Sequence, residues 1–295
     1  MKRMRFAVPD GFAFGATVES HGWYLLAPFR WDRSARTLHR PESFAGARPV
    51  DLSIRCSDAL EVSIDGGAPD RALLEPRLRR MFQLDLDLAE FHRLCAESTS
   101  HGKVAGERFG RLLCGSTFFE DVVKIIATTN TTWRQTCRMV KLLVERCGVP
   151  APSGQKTFPA PAEILAVSPE ALQRDCRLGY RARYVHAAAA MLQGIVGQET
   201  AAADGPALHK RFLQIPGIGP YGAAHLLAME GRHDHIAVDT EFRRFVRERY
   251  HGGRAVRDAT LLRRYARWGR WKYLAYWSEV WDAVRVAVDA ENEPQ

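Results

Sequence analysis

The sequence predicts an α+β fold, an N-terminal antiparallel β domain packed on an all-helical body, and three patterns carry that reading. From Trp23 to Gly67 apolar residues recur with period two, most clearly in Leu52-Ser-Ile54-Arg-Cys56 and Leu60-Glu-Val62-Ser-Ile64, with Asp65-Gly66-Gly67 as a turn. After about Leu73 the spacing becomes helical, and Phe119, Val122, Val123 and Ile126 fall at i, i+3, i+4 and i+7. Proline and glycine then separate one helical stretch from the next. The expected division is a β domain with a linking helix over 1–104 and a helical body over 105–295.

Within the body, Met139, Val140, Leu142 and Leu143 continue one stripe towards Cys147-Gly148, where glycine suits a helix end. The stretch from Val149 to Pro161 holds too much proline and glycine for regular structure and is expected as an exposed connection. Ser168-Pro169-Glu170 reads as an N-cap followed by proline at the first helical position. Val185, Ala188, Ala189, Leu192 and Val196 form the buried face of a later helix. A helical hairpin spans 212–224, and the chain is helical from Phe242 to Val288, with C-terminal helices over 255–288 and breaks at Gly252-Gly253 and Gly269. There Leu274, Trp277, Trp281 and Val284 share one face and are expected in the core.

A chain of 295 residues with 46% hydrophobic content can bury real cores. Lys and Arg outnumber Asp and Glu by 42 to 34, a balance that favours a polyanionic partner. No run of eighteen apolar residues exists and the opening Met-Lys-Arg-Met-Arg-Phe lacks the apolar stretch of a signal peptide, so no membrane partner is expected and the cytoplasm is the expected location. The six cysteines include no CxxC pair, which argues against a zinc site or a disulfide framework and for buried, reduced thiols.

The most specific segment runs from Phe212 through Pro216-Gly217-Ile218-Gly219-Pro220-Tyr221-Gly222 to Ala224, a helix end, a tight turn and a second helix opening with small residues. Glycines at 217 and 219 permit positive φ and leave the backbone bare, so that N–H groups at a helix N-terminus can face a phosphate oxygen. The same turn also serves merely to close a helical hairpin. In Val238-Asp239-Thr240-Glu241-Phe242, eighteen positions past Tyr221, an aspartate precedes a helix whose apolar face is Phe242, Phe245 and Val246. At an N-cap its carboxylate accepts backbone N–H bonds and feels the helix dipole, both of which favour the ionised form. Either it only caps the helix, or it also stabilises an oxocarbenium-like cation and orients water during glycosidic cleavage.

Together the Pro216-Gly217-Ile218-Gly219 turn and Val238-Asp239-Thr240 resemble the helix-hairpin-helix (HhH-GPD) DNA glycosylases, with their Gly/Pro-rich loop and essential aspartate. Phe118-Phe119-Glu120 through Thr128-Thr129-Asn130 is similar to the helix and turn that in 8-oxoguanine DNA glycosylases deliver an Asn towards the orphaned opposite base. Leu178-Gly179-Tyr180-Arg181-Ala182-Arg183-Tyr184 resembles the segment that starts a following helix there. The specific motifs cover roughly residues 105 to 250, and the N-terminal sheet is a looser likeness to both the 8-oxoguanine and 3-methyladenine II types. The resemblance implies a monomeric enzyme of the bacterial nucleoid acting on double-stranded DNA that contains a damaged base, with Asp239 as the catalytic carboxylate. It implies no organic cofactor, and a monovalent cation, K or Na, bridging hairpin carbonyls to phosphate, for which the sequence shows only the turn. No cysteine lies beyond Cys176, so the iron–sulfur loop of one branch is not expected.

Bifunctional members carry a lysine just after the hairpin, and the matching position here is Tyr221. A phenol cannot form the imine, so hydrolysis without strand cleavage is expected. An aromatic residue at that position is the habit of members acting on methylated bases, which makes an alkylated purine the expected lesion. An oxidised or deaminated base is the rival, and a non-catalytic lesion binder is a third reading that Asp239 argues against.

The remaining candidates each have two readings. Lys210 on the preceding helix is either solvated or a substitute nucleophile; Asn130 either meets the unpaired base or ends a helix; Trp133 either wedges into the gap or packs inside. Arg181 and Arg183 touch phosphates or form a solvated basic face. The expected base pocket comprises Tyr221, His225, Trp268 and Trp271, of which His225 also reads as a core histidine, and the two tryptophans flank the Gly269-Arg270 break where they can stack on a flipped base.

Overall fold

The structure, a computed structural model, describes residues 2–67, 69–194 and 205–292, with side chains described as far as Asp282. Five antiparallel strands, β1 (Lys2–Ala7), β2 (Arg30–Asp32), β3 (Thr37–Glu42), β4 (Val50–Cys56) and β5 (Ala59–Asp65), form one sheet in the order β1-β5-β4-β3-β2. The period-two reading survives intact in β4 and β5, where Leu52 pairs with Ile64 and Ile54 with Val62, and all four are at most 1% exposed. It fails at its start: Trp23 lies in a 3-10 helix, Gly22–Leu25, after a short helix α1 (Phe14–Val18), and the sheet is opened instead by β1. Only Phe6 of β1 is buried, so the alternation of this edge strand is drowned by its charged residues.

Helices follow as α2 (Arg71–Met81), α3 (Ala89–Ala96), α4 (Gly102–Gly106), α5 (Phe118–Thr128), α6 (Trp133–Cys147), α7 (Pro161–Leu165), α8 (Pro169–Asp175) and α9 (Arg181–Leu192). Beyond them come α10 (Gly205–Phe212), α11 (Pro220–Met229), α12 (Thr240–His251), α13 (Asp258–Arg263), a 3-10 turn at Ala266–Trp271 and α14 (Lys272–Asn292). Local chemistry fixes several starts: Ser168 caps α8 ahead of Pro169, and Thr132 with Gln135 forms a reciprocal box at α6. Val196, expected on the buried face of α9, and the side chain of Val284 lie outside the described residues. Cys56 and Cys137 are half-buried, unlike the other four cysteines.

Two apolar cores result. The sheet shares the first with α2, α5, α6, α9, α10 and α11. The second gathers Phe91 and Cys95 of α3 and Val104 of α4 with Phe242, Val246, Leu261, Trp268, Trp271 and Trp281. The expected division at 104 therefore does not coincide with a division of the core, because α3 and α4 pack with the C-terminal helices.

Between sheet and helices lies a buried ionic cluster. Arg40 of β3, 1% exposed, pairs with Glu42 at 2.9 Å and with Glu120 at 3.0 Å, and Lys124 Nζ donates to Glu120 at 2.7 Å. Arg77 of α2 pairs with Glu42, while Arg80 reaches both Asp121 and Glu230 at 2.7 Å. Burial alone would raise the Glu120 carboxyl, but the Arg40 and Lys124 charges outweigh it and hold the group down to about 2. The sign follows: this pairing stabilises the fold fully above the ordinary carboxyl value of 4.5 and is lost as pH falls through about 2. Removing one partner strands the others without compensation, so Glu120→Gln is expected to cost about 3–5 kcal/mol, read as a lowered urea midpoint at neutral pH. The gap between variant and parent should close as pH is lowered from 4.5 to about 2, and an unchanged midpoint at neutral pH would remove the cluster from the account of stability.

Candidate active site

The cleft of about 920 Å³ is walled mainly by five segments, Glu19–Leu25, the turn between α5 and α6, and the N-terminal parts of α11, α12 and α14, with Leu112 and Met229 completing the lining. Each wall is placed by a definite interaction. Trp277 and Trp281 of α14 donate their indole N–H groups to the carbonyls of Ser20 (2.9 Å) and Glu19 (3.1 Å), binding the final described helix to the N-terminal segment. Trp23 in turn donates to Asp121 at 2.8 Å, so the same segment is fixed to the ionic cluster.

Asp239 caps α12 as expected, accepting the Phe242 N–H at 2.6 Å through Oδ1. It lines the cleft, and its second oxygen has no donor among the described residues. Tyr221 stands one turn before His225 on α11 with their rings 4.3 Å apart, and both line the cleft. Burial pushes the Tyr221 phenol up, with the Asp239 charge adding to it, and pushes His225 down against the opposing pull of Asp239. His225 contacts Tyr273 and Trp277 edge-on at 5.9 and 6.5 Å.

The sequence missed Tyr273, Trp277 and His21 as wall residues. Tyr273, Trp277 and Trp281 are spaced i, i+4, i+8 on α14, a signal available in the sequence but equally that of a core stripe. Trp277, expected in the core, is half-buried and faces the cleft, whereas Leu274 is buried in the second core. His21 lies in irregular chain with no periodicity to find it. Its Nε2 donates to the Leu113 carbonyl at 2.7 Å, and burial lowers its pKa to about 3.

Trp268 and Trp271 require correction. They are 5% and 4% exposed and line no part of the cleft; both pack on Phe91, and Trp271 Nε1 donates to Glu90 at 2.9 Å. The φ of +53° at Gly269 turns the chain so that both rings enter the second core. Arg181 is likewise not a free cation: it is 7% exposed and donates to the carbonyls of Thr129 and Asn130. It thereby holds the turn in which Asn130, exposed and with φ +45°, projects at the cleft rim with its amide donating to Tyr180 at 3.3 Å. Arg183 is exposed, with a bond to the Tyr184 hydroxyl.

Trp133, 40% exposed, lies on the rim against Gly22, where any Cβ would come within 2.4 Å of its ring. In the hairpin, Gly217 has φ +84°, and a Cβ there would meet Tyr184 Cβ at 2.7 Å, whereas Gly219 faces open space. Ile218, expected among the DNA contacts, buries its side chain and donates its N–H to the Ile215 carbonyl at 3.0 Å; Pro216 is half-buried. Lys210 is exposed and absent from the cleft wall, and no lysine lines the cleft among the described residues. Arg243 is the one basic wall residue among them besides the histidines, and its guanidinium is held by Asp258 at 2.8 and 2.9 Å.

Comparisons with known proteins agree with this geometry. The chain resembles the 3-methyladenine DNA glycosylase of Archaeoglobus fulgidus, at 20% identity over 96% of this chain and 99% of the other with a TM-score of 0.73. It resembles the Clostridium acetobutylicum 8-oxoguanine glycosylase/lyase in complex with double-stranded DNA, at 14% identity over 97% and 99% with a TM-score of 0.71. At such identities the likeness is one of fold. No curated protein sequence matches. The family model described as HhH-GPD superfamily base excision DNA repair protein matches residues 123–270, half of the chain and the part that carries the hairpin, Tyr221 and Asp239. The chain belongs to that superfamily.

Proposed function

We propose that this protein is a monofunctional DNA glycosylase that extrudes an alkylated purine from duplex DNA and hydrolyses its N-glycosidic bond. The observation that carries the reading is the cleft wall itself: Asp239 stands among Tyr221, Tyr273 and Trp277, the histidines are pushed towards their neutral forms by burial, and Arg243 is already neutralised by Asp258. A cationic purine entering there meets electron-rich rings and a carboxylate, and no unmatched positive charge among the described residues.

The hairpin backbone from Pro216 to Gly219 grips phosphate through N–H groups at the start of α11. The Pro216 and Gly217 carbonyls accept no hydrogen bond among the described residues, which fits a bridging monovalent cation; these are the groups that would hold it. Asn130, held in its left-handed turn by Arg181, faces the strand left unpaired. With the base among the aromatic rings, the C1′–N bond breaks and its electron pair neutralises the departing purine. The Asp239 carboxylate stabilises the positive charge at C1′ and orients water, whose oxygen bonds to C1′ while its proton passes to Asp239 or solvent. The product is an abasic sugar in an unbroken strand.

Asp239→Asn should lower single-turnover release of an alkylated purine by at least about 100-fold while duplex affinity persists, because the charge matters mainly as the bond breaks. Faster release from 8-oxoguanine duplexes than from methylated ones would replace the lesion assignment.

The two hairpin glycines should separate. Gly219→Ala has room to fold and should weaken binding to damaged and undamaged duplexes alike, whereas Gly217→Ala should first lower thermal stability through its clash with Tyr184. Equal melting temperatures for the two variants would contradict this.

Borohydride should trap no covalent enzyme–DNA adduct, and strands should break only after alkali, because Tyr221 stands where an amine would be required. A trapped adduct would overturn the monofunctional reading, and Lys210→Ala would then show whether that lysine is its source.

A further inference from the structure

The positive charge of this chain is concentrated in one place. From Asp239 to Lys272 there are eleven Lys and Arg against four Asp and Glu, which accounts for all but one of the eight excess charges of the whole sequence. Part of this surplus is internally matched: Arg243 by Asp258, Arg244 by Glu241 and Glu248, Arg270 by Glu90. Arg254 and Arg257 are exposed and their guanidinium groups have no hydrogen-bond or ion-pair partner among the described residues. Arg263 has only marginal bonds, at 3.5 Å, to Ala259 and Thr260 of its own helix.

Arg257 and Arg263 flank an open hollow of about 580 Å³ whose other lining residues are Ala255, Val256 and Thr260. One ion pair links the hollow to the cleft. Arg243, a cleft wall residue, grips Asp258, and Asp258 follows Arg257 directly in the chain. The carboxylate next to Arg257 in the chain is therefore already paired, and Arg257 and Arg263 are both exposed.

We propose that this arginine-lined hollow is a second DNA-backbone site, taking phosphates of the duplex flanking the extruded nucleotide. The inference rests on the glycosylase reading for the presence of DNA. Planar guanidinium groups suit phosphate oxygens, Thr260 adds a hydroxyl donor, and the small apolar floor of Ala255 and Val256 offers nothing to read a base edge. The site contributes grip without sequence preference and takes no part in bond breaking.

The test is a salt titration of binding to a lesion-containing duplex by fluorescence anisotropy, comparing the parent with Arg257→Gln/Arg263→Gln. Each lost phosphate contact should make the slope of log K against log salt shallower by about 0.9, so the double variant should fall short of the parent by about 1–2. Its single-turnover rate of base release at saturating enzyme should be unchanged. Arg3→Gln/Arg48→Gln, which removes the same charge from exposed positions on the sheet module, should leave the slope within experimental error of the parent. An unaltered slope in Arg257→Gln/Arg263→Gln, or an equal drop in the sheet-module control, would overturn the site while leaving the glycosylase reading standing. A parent protein that binds no duplex would overturn both.

Discussion

Burying Glu120, Asp121 and Lys124 within two turns of α5 is tolerable only because each charge has a fixed partner, and those partners come from separated parts of the chain. Arg40 and Glu42 arrive from β3, Arg77 and Arg80 from α2, and Glu230 follows the end of α11. Four cations meet four carboxylates, and every one of these pairs is in place only when the sheet, α2, α5 and the end of α11 are assembled together. The Trp23 indole joins the same set through Asp121, and with it the segment Glu19–Leu25. The cleft walls are thus positioned by ionic geometry several residues removed from any of the chemistry. Apolar packing alone would permit small slides between sheet and helices; directional pairing of this kind does not.

Charge is divided between inside and outside in a way that suits the two tasks of such an enzyme. At the cleft wall the histidines are held towards neutrality and the one arginine among the described wall residues is matched, whereas the loop between α12 and α13 keeps unmatched guanidinium groups at Arg254 and Arg257. Long-range attraction for a polyanion can then act without placing positive charge beside the bond to be broken. The helix N-terminus at Asp239 gives a further economy of parts, since one carboxylate both caps α12 and lines the cleft.

How much of this the sequence revealed depended on whether a residue's role is local. The turn at 216–219, the cap at Asp239, the Ser168-Pro169 start and the alternation of β4 and β5 are written in neighbouring residues and were legible. The place of Asn130 just past α5 was legible for the same reason, but its left-handed conformation is held by Arg181, a residue that the sequence reading gave either to phosphates or to a solvated face. The tryptophans went wrong because periodicity says which residues share a face and not what that face meets. Gly269 rotates Trp268 and Trp271 inwards, while Trp277 is drawn to the cleft by its bond to Ser20, a residue more than 250 positions away. Contacts of that separation, like those of α3 and α4 with the C-terminal helices, leave no trace in a local window.

The clasp between α14 and residues 19–20 gives the pocket a history as well as a shape. The sheet, the hairpin and the cap at Asp239 all precede α14 in the chain, so Tyr273, Trp277 and Trp281 reach the cleft only after those parts have been made. A nascent or prematurely ended chain would present the carboxylate with an unfinished wall. The cleft is therefore closed only once α14 has been added, and truncation before α14 would leave it without one wall.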